Sequence, residues 1–236
     1  MSNLSIEPFF ARRAELARRM RAGVAIVPTA PERIRNRDSH YPYRFDSYFY
    51  YLTGFREPDA MLFVVAGEAP QSILFCREKD AEREIWDGFR HGPEAAREAF
   101  RLDAAWPIAQ LEEKLPELIA DQPALFYSMG YDAQCDRRVL AALNAVRARA
   151  RSGVTAPTVI ADVRVLLDEM RLIKDAHERE TMRRAAEIST AAHRRAMRCA
   201  APGKFEYEIE AELTHEFRVG GAQAPAYSQI VAGGAN

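Results

Sequence analysis

The stretch MLFVVAGEAPQSILFC, residues 61–76, sets two β-rich runs, Met61–Val65 and Ser72–Cys76, on either side of Gly67-Glu68-Ala69-Pro70. Branched and aromatic side chains favour extended backbone, and a Gly/Pro connection reverses it, so the stretch reads as a hairpin. Working back from it, Asp46–Leu52 reads as a short aromatic helix ending at Gly54, and Val24–Val27 as a buried strand cut by Pro28. Residues 7–22 read as a helix with Phe9, Leu16 and Met20 on one side. Arg12, Arg13, Arg18 and Arg19 mark the other, and Gly23 supplies the stop. Working forward, residues 93–100 and 107–120 read as helices, the second despite Pro116, and Leu125–Tyr127 as a strand. Asp132–Arg149 reads as a long helix with Val139, Leu143 and Val146 inward, and Val159–Ile160 as a last short strand. Strands alternating with helices predict an α/β domain.

A second region follows. Val165–Met170 reads as a short helix, and Asp175 stands three residues before Glu178, the spacing of a capping box. The helix so opened carries Met182, Ala185, Ile188, Ala192 and Met197 and stops at Pro202-Gly203. Glu206–Val219 reads as another helix, and Tyr227–Val231 as a strand-like run before Gly233-Gly234-Ala235-Asn236. Two helices and one strand are too little to close a core, so this region is expected to be the opening of a truncated second domain.

Composition narrows the function. Of 236 residues, 48% are hydrophobic and 28% charged, and 33 basic side chains offset 34 acidic ones to a net charge of −1. That balance argues against a nucleic-acid binder. The longest apolar run, Ala60–Ala66, is far short of a membrane span. The first residues lack a signal peptide's apolar run, so Asn3-Leu4-Ser5 is read as a chance sequon. Three widely spaced cysteines, Cys76, Cys135 and Cys199, fit a reducing cytoplasm better than a disulfide framework.

Standard catalytic signatures fail on inspection. His177-Glu178 meets Thr181, and His215-Glu216 meets Val219, where a zincin helix needs a second histidine. There is no GxGxxG and no CxxC, and the five histidines (40, 91, 177, 193, 215) are dispersed, each reading as a surface or satisfied-core residue. Glu206, Glu208, Glu210 and Glu212 alternate around a helix and read as a solvated face rather than ligands. Two clusters stand out: RDSHYPYR (37–44), dense in donors, acceptors and aromatic rings, and Glu84-Ile85-Trp86-Asp87-Gly88. On residues alone the first reads as a packed surface loop whose Tyr hydroxyls cap backbone groups, the second as a half-buried Trp anchor.

The segments DSHYPYR (38–44), YYLTGFREPDA (50–60) and EIWDGFR (84–90) resemble the N-terminal domain of bacterial Xaa-Pro aminopeptidase, aminopeptidase P. So do VRVLLDEMRLIKDAHERETMRRAAEIS (163–189), PGKFEYEIEAEL (202–213) and AYSQIVAGGAN (226–236), in the same order. The resemblance implies a creatinase-type N-terminal α/β domain with a mixed sheet over residues 1–170. Residues 171–236 would be the truncated start of a pita-bread metallopeptidase domain.

The family removes an N-terminal residue ahead of proline using two Mn²⁺ ions held by two Asp, two Glu and one His. Two such metals can bind a bridging hydroxide and polarise the scissile carbonyl. The resemblance places no metal ligand and no catalytic residue within residues 1–236. The chain alone is therefore expected to bind no Mn²⁺ and to be inactive, serving oligomerisation and substrate access. Family members form tetramers in which this domain reaches another subunit's active site. On that pattern Asp38 would hold a peptide's α-amino group, Trp86 would pack on the proline or beyond, and Tyr227 would lie near the cleft. Asp87-Gly88-Phe89 departs from the family pattern, which points to a different local loop. The implied partners are peptides beginning Xaa-Pro, with no nucleic acid and no membrane. A prolidase acting on dipeptides, and a non-catalytic peptide- or protein-binding module, stay open as alternatives.

Overall fold

The computed structural model describes residues 6–235, so the Asn3-Leu4-Ser5 sequon and Asn236 lie outside the described residues. The chain divides into two compact units, Met1–Leu172 and Ile173–Asn236.

The first unit opens with α1 (Glu7–Met20), β1 (Gly23–Pro28), the short strands β2 (Ile34–Asn36) and β3 (Ser39–His40), and α2 (Ser47–Thr53). Then come the hairpin β4 (Met61–Ala66) and β5 (Gln71–Cys76), α3 (Ala81–Asp87), α4 (Gly92–Ala99), β6 (Ala104–Pro107) and α5 (Leu111–Ile119). It closes with β7 (Ala124–Tyr127), α6 (Ala133–Ala148), β8 (Val159–Ala161) and α7 (Val163–Leu172). Six strands form one mixed sheet in the order β6-β5-β4-β1-β7-β8. The hairpin is in register Leu62↔Leu74 and Phe63↔Ile73, β4 runs antiparallel to β1, and β1–β7, β7–β8 and β5–β6 are parallel.

The near-continuous apolar runs of β1, β4 and β5 follow from burial of both sheet faces. Ala25, Val27, Leu62, Val64, Leu74 and Cys76 face a core shared with α1, α2 and α7. Their neighbours Val24, Ile26, Met61, Phe63, Ile73 and Phe75 face a second core shared with α5 and α6. Gly23 is obligatory where β1 begins: its φ is +114°, and a Cβ would stand 2.5 Å from the Ala124 carbonyl oxygen.

Three differences from the sequence reading have physical causes. Arg12 and Arg13, expected on the solvent side of α1, are buried. Arg13 donates to the carbonyls of Leu52 (2.9 Å), Phe100 (2.8 Å) and Arg101 (2.8 Å), and Arg12 to that of Tyr51 (3.0 Å), with its guanidinium 4.2 Å from the Tyr51 ring. The helix thus uses guanidinium groups to satisfy carbonyls at the ends of α2 and α4. Ala104–Pro107 is an added edge strand, registered by Asp103, whose carboxylate accepts from Ser72 N at 2.7 Å. Finally, Tyr227–Val231 forms no strand, because its unit contains no other strand among the described residues to pair with.

The two cysteines of the sheet and α6 are sealed. Burial pushes the Cys76 thiol up to about 12 and the Cys135 thiol up to about 11, from an ordinary value of 9.0. Tyr43, half-buried beside Thr29, is pushed up by that desolvation to about 12 from 10.0. Each group is held protonated in the folded state past the pH at which it would ionise unfolded. Their contribution is therefore full at neutral pH and is lost as pH rises from about 9 toward 12. At pH 8, Cys76 and Cys135 are expected to resist an aromatic disulfide reagent while the partly exposed Cys199 reacts. Equal reaction of all three in the native chain would refute this burial.

The second unit is two helices, α8 (Ala176–Cys199) and α9 (Glu206–Val219). Asp175 and Glu178 form the capping box, with Glu178 N donating to Asp175 at 2.8 Å and Asp175 N to Glu178 at 3.1 Å. The acidic face of α9 is spent on local bonds: Glu206 accepts from Gly233 N, Glu208 pairs with Lys204, and Glu212 with Arg195. Among the described residues no helix is long and apolar enough to cross a membrane.

Candidate functional site

The candidate residues of the first unit stand on two projecting segments. β2 and β3 pair antiparallel, Ile34 opposite His40 and Asn36 opposite Ser39, around a two-residue turn of Arg37 and Asp38. Arg37 takes φ 50°, which a tight turn of this length requires. The base is tied down: Tyr41 N donates to Arg33 O at 2.9 Å, and the Tyr43 and Thr29 hydroxyls meet at 2.8 Å. The short bond of Tyr43 is thus to a side-chain hydroxyl, with the Glu57 carbonyl only at 3.5 Å, while Asp38 is carried exposed at the tip.

Trp86 is not a half-buried anchor. It is 85% exposed on α3, flanked by Ile85 at 77% and Phe89 at 64%, and α3 buries none of its residues. Polar bonds hold this helix in place of packing. Asp80 caps it by accepting from Glu82 N and Arg83 N. Glu84 accepts from Lys79 Nζ at 2.6 Å and from Arg90 N at 2.7 Å, and Arg90 pairs with Asp87 at 2.6 Å. The Lys79 ammonium lies 4.1 Å from the Phe89 ring centre. Those contacts brace the helix while Ile85 and Trp86 on it, and Phe89 just beyond it, stay exposed, the pattern of a docking surface.

Between the two segments lies a cleft of about 430 Å³. Glu32 and Tyr43 border it from either side of the hairpin, and Asp87, Phe89 and His91 from the end of α3. The segments that carry Asp38 and Trp86 therefore flank one cavity, although neither side chain makes a hydrogen bond or ring contact with the other. Glu57 accepts from His91 N at 2.9 Å and lies 2.6 Å from His91 Nδ1, and Phe55, Phe89 and Phe100 surround the imidazole. That pair was not singled out by sequence: Glu57 lies in REPD and His91 is 34 residues away. Its only trace was a histidine read as satisfied, which it is. Tyr227 is 76% exposed and belongs to the second unit.

At the carboxyl ends of β1 and β7, where open α/β sheets commonly take ligands, Tyr127, Tyr131 and Asp46 fill the crevice to about 30 Å³, the room of one water. Asp162, at the end of β8, is held down to about 2 by Arg164, whose guanidinium donates to it at 2.6 Å, and Ser128 donates to it at 3.0 Å. Among the described residues, no three His, Cys, Asp or Glu side chains come together as a metal ion needs. The donor set required by a metallopeptidase is thus not found among them.

A mixed six-stranded sheet with helices on both faces matches a defined class. Residues 9–127 match the family described as Aminopeptidase P, N-terminal domain, and residues 180–236 match Metallopeptidase family M24. The chain belongs to the aminopeptidase P family, whose metallopeptidase membership implies a metal cofactor. It is 40% identical over 239 residues to the Xaa-Pro aminopeptidase of Escherichia coli, covering all of this chain and 54% of that protein. Zn-substituted E. coli aminopeptidase P in complex with product superposes with a TM-score of 0.92 at 39% identity, over 95% of this chain and 52% of that one. Proline aminopeptidase P II from Yersinia pestis gives 0.92 at 42%, with the same coverage. The chain spans about half the length of the curated relatives it matches.

Proposed function

We propose that this chain is the N-terminal portion of a manganese-dependent Xaa-Pro aminopeptidase, cytoplasmic and tetrameric, and that it supplies assembly contacts and substrate access rather than the chemistry. The collinear likeness to Xaa-Pro aminopeptidases over the whole chain carries this reading. The exposed Ile85, Trp86 and Phe89 support it, since a braced segment that leaves its apolar side chains in solvent fits contact with another subunit or a peptide. On this reading Asp38 holds a peptide's free α-amino group, Trp86 packs on the proline or the residue beyond, and Tyr227 lies near the cleft. The manganese ligands come from outside the described residues.

The test is release of the N-terminal residue from an Xaa-Pro-Xaa peptide in the presence of Mn²⁺. Residues 1–236 alone are expected to release none, and the full-length protein to release it. In the latter, Trp86→Ala is expected to lower kcat/KM about fivefold or more, mainly through KM, without lowering the unfolding temperature. Turnover by residues 1–236 alone would refute the division of labour. Cleavage confined to dipeptides would make the protein a prolidase.

A further inference from the structure

The 430 Å³ cleft has the size of a small-molecule site and an imbalance in its charges. Its charged members are only partly engaged: Glu57 accepts twice from His91 through Oε1 while its Oε2 is buried without a partner among the described residues, Asp87 is paired with Arg90 at 2.6 Å, Glu32 is exposed to solvent, and Arg56 is turned to Tyr50. Arg77 also lines the cleft, and its guanidinium makes no hydrogen bond or ion pair with any described residue, with Nε buried. A guanidinium left without an acceptor in a partly enclosed site is costly unless water or a ligand supplies one. Its planar fork matches a carboxylate, which it can hold through two parallel bonds. Phe89 and Phe100 line the same cleft and offer apolar surface beside that charge.

We infer that this cleft is a binding site for a monocarboxylate with an apolar body, its carboxylate held by Arg77 and its body laid against Phe89 and Phe100. A dianion such as phosphate is disfavoured, because its second charge would face Glu57, Asp87 and Glu32 in one cavity. The carboxylate can belong to a free small acid or to the C-terminus of a peptide. This inference does not depend on the aminopeptidase reading.

The test is ligand-observed NMR titration of the 236-residue chain with phenylacetate, phenylacetamide, and N-acetyl-Ala-Ala-Phe with a free or an amidated C-terminus. At least one free carboxylate is expected to bind with Kd about 1 mM, and its amide about tenfold or more weaker. Arg77→Gln is expected to remove that tenfold preference, and Arg97→Gln, on the exposed side of α4, to leave it intact. Phe89→Ala, at an exposed position that folding does not need, should weaken binding about threefold and keeps the test decisive if Arg77→Gln fails to fold. Binding of phenylacetate alone assigns the site to free acids, and binding of the peptide alone to C-termini. Equal binding of acid and amide, a preference unchanged in a folded Arg77→Gln chain, or no binding at 20 mM would each overturn it.

Discussion

Arg13→Met is expected to destabilise the first unit by about 3–5 kcal/mol, a large part of the 5–15 kcal/mol that holds a typical domain together. Methionine fills much the same space as the arginine stem, so the loss comes from the guanidinium and not from a cavity. Three carbonyls lose their donor: that of Leu52 in a buried bond and those of Phe100 and Arg101 in part-buried ones, with Arg13 itself 1% exposed. Each buried acceptor left unsatisfied costs about 1–3 kcal/mol, partly relieved by local rearrangement. Burial lowers the Arg13 guanidinium only to about 10, so it is charged at neutral pH and its bonds are charge-assisted. Arg13→Lys should recover part of the loss, since one ammonium cannot span all three carbonyls. Urea unfolding followed by circular dichroism reads the effect as a fall in midpoint of roughly 1–2 M. Arg18→Met, on the exposed face of the same helix and paired only with Glu15, should leave the midpoint where it was. Equal midpoints for Arg13→Met and Arg18→Met would show that the buried arginine is dispensable.

Native-state hydrogen exchange is expected to separate the two units by a factor of about 1,000 or more in protection. In the first unit, β1, β4 and β5 are buried on both faces, and their amides should exchange only through global unfolding. The second unit has no comparable core. The 24 residues of α8 bury only Ala192, and α9 buries none of its residues. Met182, Met197, Phe205, Tyr207, Tyr227 and Ile230 are all exposed. Ile188, Ile209, Leu213 and Phe217 are only half-buried, and the pairing of Arg195 with Glu212 and Glu216 adds little, since exposed ion pairs contribute about 0–1 kcal/mol each. Two helices with a single fully buried side chain between them are marginal in water. The amides of residues 176–219 should therefore exchange through local opening while those of 61–76 remain protected. Equal and strong protection of both stretches would refute this picture.

The parts of the chain that were legible in sequence are those governed by near neighbours. Apolar runs of four to seven residues identify β1, β4 and β5, because burial on both faces removes polar residues from both phases of the strand. Asp175 and Glu178 announce the start of α8 because a capping box closes within one turn. The resemblance to aminopeptidase P likewise rested on short collinear motifs, and both the family match and the superposition agree with it. Illegible in sequence were features whose partners lie far along the chain. Arg12 and Arg13 look like a solvent face because their acceptors are supplied 39 and 87 residues away. Trp86 looks like an anchor because local sequence cannot reveal that Lys79, Glu84 and Arg90 fix its helix without burying it. Nothing local places Arg77, Glu57 and His91 around one cleft, since sheet order and the path after α3 bring them together. The sequence by itself thus determined the longer helices, the family and the buried strands, through periodicity and capping that act over a few residues, but not β2, β3, β6 or α3. Only the tertiary structure decided which charges are buried, which aromatics face water and where the open cleft lies, because those depend on surfaces that meet only after the chain has folded.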